Sequence, residues 1–460
     1  AFRCQSLIAL TALDDGDAQF QLKLADAAGK RRLRHVASGR RARETLEAGD
    51  IARDALYAGD LRGGIERLSL MAAAGDQEAV FGTGLITFVE GIELFANSLY
   101  RHGLAAPETG PMGPALSVPV PVNPNPEPLD YEKLRAILQE LVSTMDNARQ
   151  HLELAGQAGD YVVLLDPLLI RIDADGDGLS KESETIAQVF TRAFGMPERA
   201  AVPVEPPPPA GANNRSGRMQ AAPPPPTTPE VVDTTIGFDR ADAIWLAGYS
   251  QVVAAQADFF LAHDFSSFVN ASFHRLFPDA RLPMQDYATG GSLVFDPQSD
   301  TAIADAIAAI HTLNWPVIEP GRLKGVLERF RSITALSRRN WEAILAETDD
   351  NRELLPNPQQ TSLVPEGVVT AEIVDAWMKT LDVFDAVLAG DLLLPHWRFR
   401  QGFDLKAYFE TATRTDLVML LTGYDALPYL RDGPIASAAS FADANRVFGD
   451  QLMGYIFWFN

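Results

Sequence analysis

The chain has 460 residues, of which 47% are hydrophobic and 9% aromatic. A chain of this length and composition folds into globular domains, and we expect two or three, each with its own core. Its formal net charge is −22, with 61 acidic and 39 basic residues. Such a surface repels nucleic acids and anionic membranes, so no nucleic-acid partner is expected. The single cysteine, Cys4, excludes an internal disulfide and a cysteine-rich metal site.

Residues 1–43 are interpreted as an N-terminal basic arm. Its basic residues crowd one short stretch: Lys30, Arg31, Arg32, Arg34, His35, Arg40, Arg41 and Arg43. A solvated arm, or the polar face of a first helix, is favoured over contact with a polyanion. The chain begins with Ala1 and not with methionine, so we expect that a leader has been removed. No later apolar run reaches the roughly 18 residues that span a bilayer, so no transmembrane segment is expected.

A recurring tripeptide marks the predicted ends of helices. Ala-Gly-Asp occurs at residues 48–50, 58–60, 74–76, 158–160 and 389–391. Glycine is favoured just past a helix end and aspartate at a helix N-cap, so each copy predicts the end of one helix and the start of the next. Residues 44–104 therefore resemble tetratricopeptide-type helical hairpins, although the spacings are irregular. An ordinary helical bundle is the alternative.

Four longer segments have the apolar spacing of amphipathic helices. Their apolar positions are Leu85, Phe88, Ile92, Phe95 and Leu99; Leu134, Ile137, Leu141, Met145 and Leu152; Trp245, Tyr249, Val252 and Phe259; and Ile373, Trp377, Leu381, Phe384 and Leu388. We interpret these stripes as core packing between helices, and the fold class expected is mainly α.

The motif with the clearest chemistry lies at residues 173–184, which read Asp-Ala-Asp-Gly-Asp-Gly-Leu-Ser-Lys-Glu-Ser-Glu. Carboxylates stand at positions 1, 3, 5 and 12 and a glycine at position 6, so the segment resembles an EF-hand calcium loop. The resemblance implies Ca²⁺ as the cofactor. The ligands that it implies are four carboxylates and one carbonyl, from Asp173, Asp175, Asp177, Glu184 and Leu179. Gly178 supplies the positive φ that the tight curl requires.

Position 8 of this loop is Ser180, where an aliphatic residue usually pairs with a second EF-hand, and no partner loop occurs in the sequence. We therefore expect a solitary site in which Ca²⁺ is a structural staple between two helices, holding residues 161–172 and 183–194 at a fixed angle. A calcium sensor and an acidic turn that binds nothing are the alternatives. A weak solitary site is best occupied where calcium is millimolar, so a periplasmic or secreted protein is expected.

Two proline-rich stretches interrupt the helices, because proline fixes φ and lacks a backbone donor. Residues 106–128 are expected to lie as an extended strap across helices. Residues 202–233 are interpreted as a proline-rich linker. The expected architecture is a helical hairpin array or bundle with one EF-hand-like loop over residues 44–201, and a second, larger α-helical domain over residues 234–460.

The second half also carries polar and aromatic residues that could form a catalytic or binding site. They are His263, Asp264, His274, His311, Glu347, Asp349, Asp350, Glu353, His396, Trp397, Arg398 and Arg400. No known catalytic motif joins them. The polar run 346–358 is interpreted as a solvated helix end, with an active-site loop as the alternative. His263 and Asp264 are expected to end a helix, and an anion pocket at Arg398 and Arg400 is an alternative to packing.

The apolar C-terminal segment 452–460 is expected to dock into the second core, with an exposed anchor for a partner or membrane as the alternative. The function predicted is that of a calcium-stabilised extracytoplasmic binding or scaffold protein without catalysis, acting on a protein partner. Two alternatives stay open. One is a hydrolase-like enzyme with its site around residues 347–353 and His396, and the other is an accessory subunit of a larger assembly anchored by residues 452–460.

Overall fold

The computed structural model describes residues 47–105, 120–181, 184–185, 234–285, 291–363, 368–449, 456 and 459. Within these residues the fold is mainly α, as predicted. The α-helices are α1 (Ala48–Ala58), α2 (Leu61–Ala73), α3 (Gln77–Arg101), α4 (Tyr131–Ala155), α5 (Arg240–Leu261), α6 (Ser266–Ser272), α7 (Pro297–His311), α8 (Pro320–Ala346), α9 (Ala371–Ala389), α10 (Leu405–Thr411), α11 (Leu417–Thr422) and α12 (Ala442–Phe448). The predicted basic arm and linker lie outside the described residues.

The strands are short and pair in small antiparallel sheets. They are β1 (Val163–Leu165), β2 (Ile236–Phe238), β3 (Asn314–Pro316), β4 (Leu394–Pro395), β5 (Gly402–Phe403), β6 (Arg414–Asp416) and β7 (Leu430–Arg431). β1 pairs with β2, β3 pairs with β6, and β5 lies between β4 and β7.

Aspartate side chains begin seven of the described helices. Each carboxylate accepts a backbone N–H in the first turn, which satisfies a donor that the helix itself leaves unpaired. These residues are Asp60, Asp76, Asp130, Asp239, Asp296, Asp404 and Asp416. Part of the acidic excess of the sequence therefore serves local helix formation.

The Ala-Gly-Asp pattern predicts helix boundaries correctly at two copies. Gly59 and Gly75 have φ of 71° and 92°, and the aspartate that follows each of them caps the next helix. As a result α1, α2 and α3 are consecutive and pack on one another. The copy at 389–391 ends α9, with Gly390 at φ 78°, but starts no helix. The copy at 48–50 lies inside α1, and no helix starts at 158–160. The likeness of this region to tetratricopeptide hairpins stays a prediction.

Five long helices form the centre of the fold. α4 packs between α3 and α5, α5 packs on α8, and α8 packs on α9. Charged groups also join α4, α5 and α8. Arg329 of α8 donates two hydrogen bonds of 2.8 Å to Asp146 of α4 and one of 2.7 Å to Asp258 of α5. Because the planar guanidinium bonds in fixed directions, this network sets the orientation of the three helices.

Residues on both sides of the predicted linker share one hydrophobic core. The buried residues in it include Phe81 of α3, Leu152 of α4, Ile244 of α5, Trp341 of α8 and Trp377 of α9. The sequence predicts a separate core for each of the two helical regions. The described residues differ from that expectation because the apolar faces of α4 and α5 pack against each other across the predicted boundary.

The sheet of β1 and β2 also joins the two regions. Its register runs from Val163 opposite Phe238 to Leu165 opposite Ile236. β1 leads toward the acidic loop at 173–184, and β2 leads directly into Asp239, the N-cap of α5. One strand pair therefore positions two acidic regions that are distant in the sequence.

The end of the chain contributes to the shared core. Phe459 is fully buried, and its ring lies 4.7 Å from that of Trp341 and 5.6 Å from that of Trp377. Its carbonyl accepts a hydrogen bond of 3.1 Å from Ser337 Oγ. This burial agrees with the predicted docking of the C-terminal segment, of which Phe459 and Ile456 are the described residues.

The described part of the predicted strap follows the end of α3. Residues 120–128 contain neither helix nor strand. Val120 packs against a core cluster, and the Glu127 N–H donates a 2.9 Å hydrogen bond to the Arg101 carbonyl. This part of the proline-rich stretch is thus packed against α3 and a core cluster, and its extended conformation stays a prediction.

α3 has the length and apolar composition of a membrane-spanning helix, with a mean hydropathy of 1.5. Of its most apolar window, 67% is buried inside the protein. A central core helix has the same properties, so α3 is weak evidence for a membrane span.

Candidate metal site

A short antiparallel bridge joins the two ends of the EF-hand-like loop, residues 173–184. Arg171 pairs with Thr185, and the Ile172 N–H donates to the Glu184 carbonyl at 3.0 Å. The sequence predicts that two helices flank the loop. The segment before it instead forms β1 and a 3₁₀ turn at Pro167–Leu169, because β1 pairs with β2. Of the segment after it, Thr185 is the last described residue before residue 234.

Asp173, at position 1, organises the curl of the loop. Its Oδ1 accepts the N–H groups of Gly176 and Asp177 at 2.7 and 3.2 Å, and its Oδ2 accepts the Gly178 N–H at 2.8 Å. Gly176 and Gly178 have φ of 69° and 83°, which a residue without a side chain adopts at little cost. At Gly176 a Cβ would also lie 2.2 Å from Oδ1 of Asn97 on α3.

The predicted spacing does bring three carboxylates together. Asp173, Asp175 and Asp177 each offer one oxygen, and these oxygens all lie within 4.8 Å of one another. Asp175 Oδ1 accepts the Asp177 N–H at 3.2 Å, and Asp177 Oδ1 accepts the Leu179 N–H at 2.8 Å. The Leu179 side chain is exposed, and a role for its carbonyl stays a prediction. Oxygen ligands in such a ring suit hard cations such as Ca²⁺.

Glu184, at position 12, is buried and lies at the edge of this group. Its Oε2 accepts the Lys181 N–H at 2.9 Å. Burial raises the pKa of the Glu184 carboxyl, and the nearby charge of Asp175 adds to this effect. Glu184 therefore feels the charges of Asp175 and Asp173 but does not belong to the group of three aspartates.

Lys181, at position 9, places its ammonium group among these carboxylates. Its Nζ contacts Asp175 Oδ2, lies 2.7 Å from Asp177 Oδ2 and 3.8 Å from Glu184 Oε1. The hydrogen bonds to Asp175 and Asp177 raise the pKa of Lys181, and in turn Lys181 lowers the pKa of Asp177. Helical spacing does not apply in this loop of bends, so the sequence contains no signal of the contact.

α3 holds the loop in place through two polar side chains. Glu93 Oε2 accepts the Asp173 N–H at 2.7 Å, and Asn97 Nδ2 donates to the Asp173 carbonyl at 2.6 Å. Burial raises the pKa of Glu93 to about 7, with the Asp173 charge adding to the shift. Ser180 at position 8, where a second loop usually pairs, instead lies with its Oγ 3.5 Å from the Gly59 carbonyl. No local sequence pattern indicates these contacts between distant segments.

A second group of carboxyls lies at the start of α5. Oxygens of Asp239, Glu347 and Glu353 lie within 4.8 Å of one another, and Asp242 is buried beside them. Carboxyls this close repel one another when all are ionised, whereas a protonated carboxyl can donate to its neighbour. Glu353 and Asp242 are buried, and Asp239 and Glu347 are half-buried. We call these four residues the buried carboxyl cluster.

Burial dominates the electrostatics of this cluster. It raises the pKa of Glu347 to about 8 and that of Glu353 to about 7, and the Asp239 charge adds to both shifts. It also raises the pKa of Asp239, and it raises the pKa of Asp242 well above its usual range. Desolvation and like charge both disfavour the ionised form, so the cluster retains protons near neutral pH.

The polar run 346–358 is more ordered than a solvated helix end. α8 ends at Ala346, as expected, but Glu353 and Asn357 are buried. Asn357 Nδ2 donates to the Ile344 carbonyl at 3.0 Å, and Asp350 accepts from the Thr361 N–H and hydroxyl at 2.9 and 2.6 Å. The run turns back because its polar groups complete hydrogen bonds at the end of α8.

Two histidines of the second half, His263 and His274, have structural partners. His263 is buried after α5, as predicted for a helix end, and its two ring nitrogens lie 2.6 Å from the Phe259 carbonyl and from Thr415 Oγ1. Burial lowers its pKa. His274 Nε2 lies 3.1 Å from Asp305 Oδ2, and His311 is exposed in the last turn of α7.

Residues 396–398 cap the C-terminal end of α11. The donors are His396 Nε2, Trp397 Nε1 and the Arg398 guanidinium, which bond at 3.1, 2.8 and 2.8 Å to the carbonyls of Leu420, Leu421 and Thr422. Carbonyls at a helix end lack partners within the helix, and a cation is favourable there. The predicted anion pocket therefore gains no support from Arg398, whose guanidinium binds a carbonyl.

The two halves of the predicted hydrolase site lie near opposite ends of α8. Leu420, the partner of His396, packs against the core cluster that contains Leu323 and Leu327 at the start of α8. Glu347 instead follows its last residue. At 1.5 Å per residue this helix is about 40 Å long, so His396 and Glu347 do not form one site.

A groove of about 530 Å³ lies between α2, α3 and α4. Its walls include Ile65, Ala72, Glu90, His151 and Leu154, and none of the residues predicted for an enzyme site lines it. The chain matches no protein-family model, no curated protein and no solved structure, so its function is inferred from its own residues.

Proposed function

We propose that residues 173–184 bind Ca²⁺ and that the ion fastens the loop to the helical bundle. The observation that carries this proposal is the convergence of Asp173, Asp175 and Asp177 within 4.8 Å, on a loop curled by Gly176 and Gly178. Their mutual repulsion opposes this arrangement, and a divalent cation removes it. Glu184 lies next to the ring and adds oxygens once the ion is bound.

The role that fits this site is structural. The loop is anchored on α3 through Glu93 and Asn97, and Ser180 lies against the turn between α1 and α2 instead of a second calcium loop. Calcium bound here would stiffen existing contacts between β1, α3 and the α1–α2 turn. We therefore propose a calcium-stabilised binding or scaffold protein that works where calcium is abundant, in a periplasm or outside the cell.

The test compares thermal unfolding of the full chain with excess Ca²⁺ and with a chelator. We expect the chelator to lower Tm by several degrees, since a ligand that binds the folded state stabilises it. Asp177→Asn and Glu184→Gln should remove this sensitivity. Asp300→Ala is the matched control, because Asp300 organises another loop through the N–H groups of Leu293, Val294 and Phe295. If the wild-type protein had the same Tm with excess Ca²⁺ and with the chelator, the loop would not be stabilised by calcium.

A further inference from the structure

Lys181 supplies a cation to the calcium loop from the loop itself. Its Nζ contacts Asp175 Oδ2 and lies 2.7 Å from Asp177 Oδ2. The other oxygen of each aspartate, Oδ1, accepts a backbone N–H within the loop. The backbone thus uses one oxygen of each carboxylate to shape the turn, and the ammonium takes the oxygen that remains.

The oxygens that Lys181 takes are those a metal ion would need. Ca²⁺ binds carboxylate oxygens at 2.3–2.6 Å, which requires close approach to the same ring. An ammonium at hydrogen-bonding distance from Asp175 and Asp177 occupies the space in front of them. The two cations cannot satisfy the same Oδ2 atoms together, because their charges repel at that separation.

Lys181 is also free to leave. Its side chain is 42% exposed, and every ion pair that the structure describes for it is with a carboxylate of this loop. A lysine that swings into water regains its hydration and the freedom of four rotatable bonds. Exposed ion pairs of this kind are weak, so a divalent ion at sufficient concentration displaces it.

We propose that Lys181 is a tethered counter-cation that holds the loop closed without calcium and that Ca²⁺ must displace to bind. This inference rests on the proposed function, and it deepens it by naming what regulates the site. Binding becomes the exchange of one cation for another on a loop that is already curled. The affinity for Ca²⁺ is lowered by the cost of expelling Lys181, so the site responds to high calcium concentrations and changes little in shape.

The experiment measures Ca²⁺ binding to the full-length, chelator-stripped protein by titration calorimetry. Lys181→Met keeps the length of the side chain and removes its charge, and Lys181→Gln is a second, polar variant. We expect both to bind Ca²⁺ about tenfold more tightly than the wild-type protein. Both should also have a lower Tm in chelator, since the aspartates then lack a counter-cation. Lys379→Met is the matched control, because Lys379 is likewise exposed and ion-paired with two aspartates, Asp375 and Asp443.

The outcomes separate the two proposals. Equal Ca²⁺ affinity in the wild-type protein and both Lys181 variants would overturn the role of Lys181 and leave calcium binding intact. Binding to none of these proteins would overturn the proposed function and the inference with it. If only the Lys181 variants bound Ca²⁺, the result would support the proposal that Lys181 blocks the site, and it would overturn calcium binding by the native chain. If Lys379→Met also bound Ca²⁺ tenfold more tightly, the gain in affinity would come from the change in net charge, and the specific role of Lys181 would be overturned.

Discussion

The acidic loop at residues 173–184 and the buried carboxyl cluster are two groups of acidic side chains in different environments. In the loop, Asp175 and Asp177 are reached by solvent and by the ammonium of Lys181. In the cluster, Glu353 and Asp242 are buried, and Asp239 and Glu347 are half-buried beside them. Hydrogen bonds to Lys181 lower the pKa of Asp177, whereas burial raises the pKa of Glu347 to about 8.

This difference teaches that burial decides how crowded carboxyls are neutralised. An exposed ring can keep its charge because a mobile cation, whether an ammonium or a metal ion, balances it. A buried group cannot pay the desolvation of several charges, so protons remain bound. Acidic residues counted in the sequence are therefore not all charges on the surface.

The largest expected effect is the pH dependence of the cluster. The folded-state pKa of Glu347 is about 8 and that of Glu353 about 7, both above the value of 4.5 for an exposed glutamate. At pH values between 4.5 and the folded-state pKa, each of these glutamates holds a proton in the folded state and has lost it in the unfolded chain. The free energy of unfolding therefore falls as pH rises from about 4.5 to 8. Allowing for partial solvent exposure, we expect a loss of about 2 kcal/mol, measured by urea unfolding in chelator at pH 5, 7 and 9.

Glu347→Gln is the control for this pH dependence, because an amide cannot ionise. The variant should have a flatter profile and exceed the wild-type stability at pH 9. Asp350→Asn should retain the wild-type slope, since Asp350 bonds to Thr361 and burial does not dominate its pKa, which is lowered. Unfolding free energies that do not change with pH in the wild-type protein would contradict proton retention in the cluster.

An intermediate effect is expected from the two glycines of the loop. Both have positive φ, but a Cβ at Gly176 would meet Asn97 of α3, whereas open space surrounds Gly178. Gly178→Ala should cost about 1 kcal/mol from backbone strain alone. Gly176→Ala should cost about 2 kcal/mol, because it also displaces the contact between Asn97 and the Asp173 carbonyl.

The free energies of unfolding of the two glycine variants are measured by chemical unfolding with saturating calcium. Asn97→Ala should account for most of the excess cost of Gly176→Ala, so combining the two changes should cost less than their sum. Equal losses for Gly176→Ala and Gly178→Ala would mean that α3 does not position the loop.

The smallest expected effect is that of salt on the loop without calcium. Contacts between Lys181 and the aspartates are exposed and are screened over about 10 Å at 0.1 M salt. Raising NaCl from 0.05 to 0.5 M in chelator should lower Tm by about 1 °C relative to Lys181→Met. The pH profile of the buried cluster should keep its slope in the same series. If that slope instead depended steeply on salt, the cluster carboxyls would be exposed to solvent, and the difference between the cluster and the loop would not hold.

Local patterns in the sequence were sufficient to predict four of the five long helices and the ring of aspartates. The stripe from Leu85 to Leu99 lies in α3, and the Ala-Gly-Asp copies at 58–60 and 74–76 end one helix and start the next. The spacing of Asp173, Asp175 and Asp177 brought their oxygens together. These features depend on residues a few positions apart, and backbone geometry alone relates such residues.

Only the tertiary structure decided which distant groups share an environment. It placed Glu93 and Asn97 of α3 against the acidic loop, brought Asp239 close to Glu347, and kept Glu347 apart from His396 at the other end of α8. It also merged the two predicted cores through α4 and α5. Each of these outcomes depends on how whole helices pack, and the periodicity of one helix does not specify the partner that its apolar face meets.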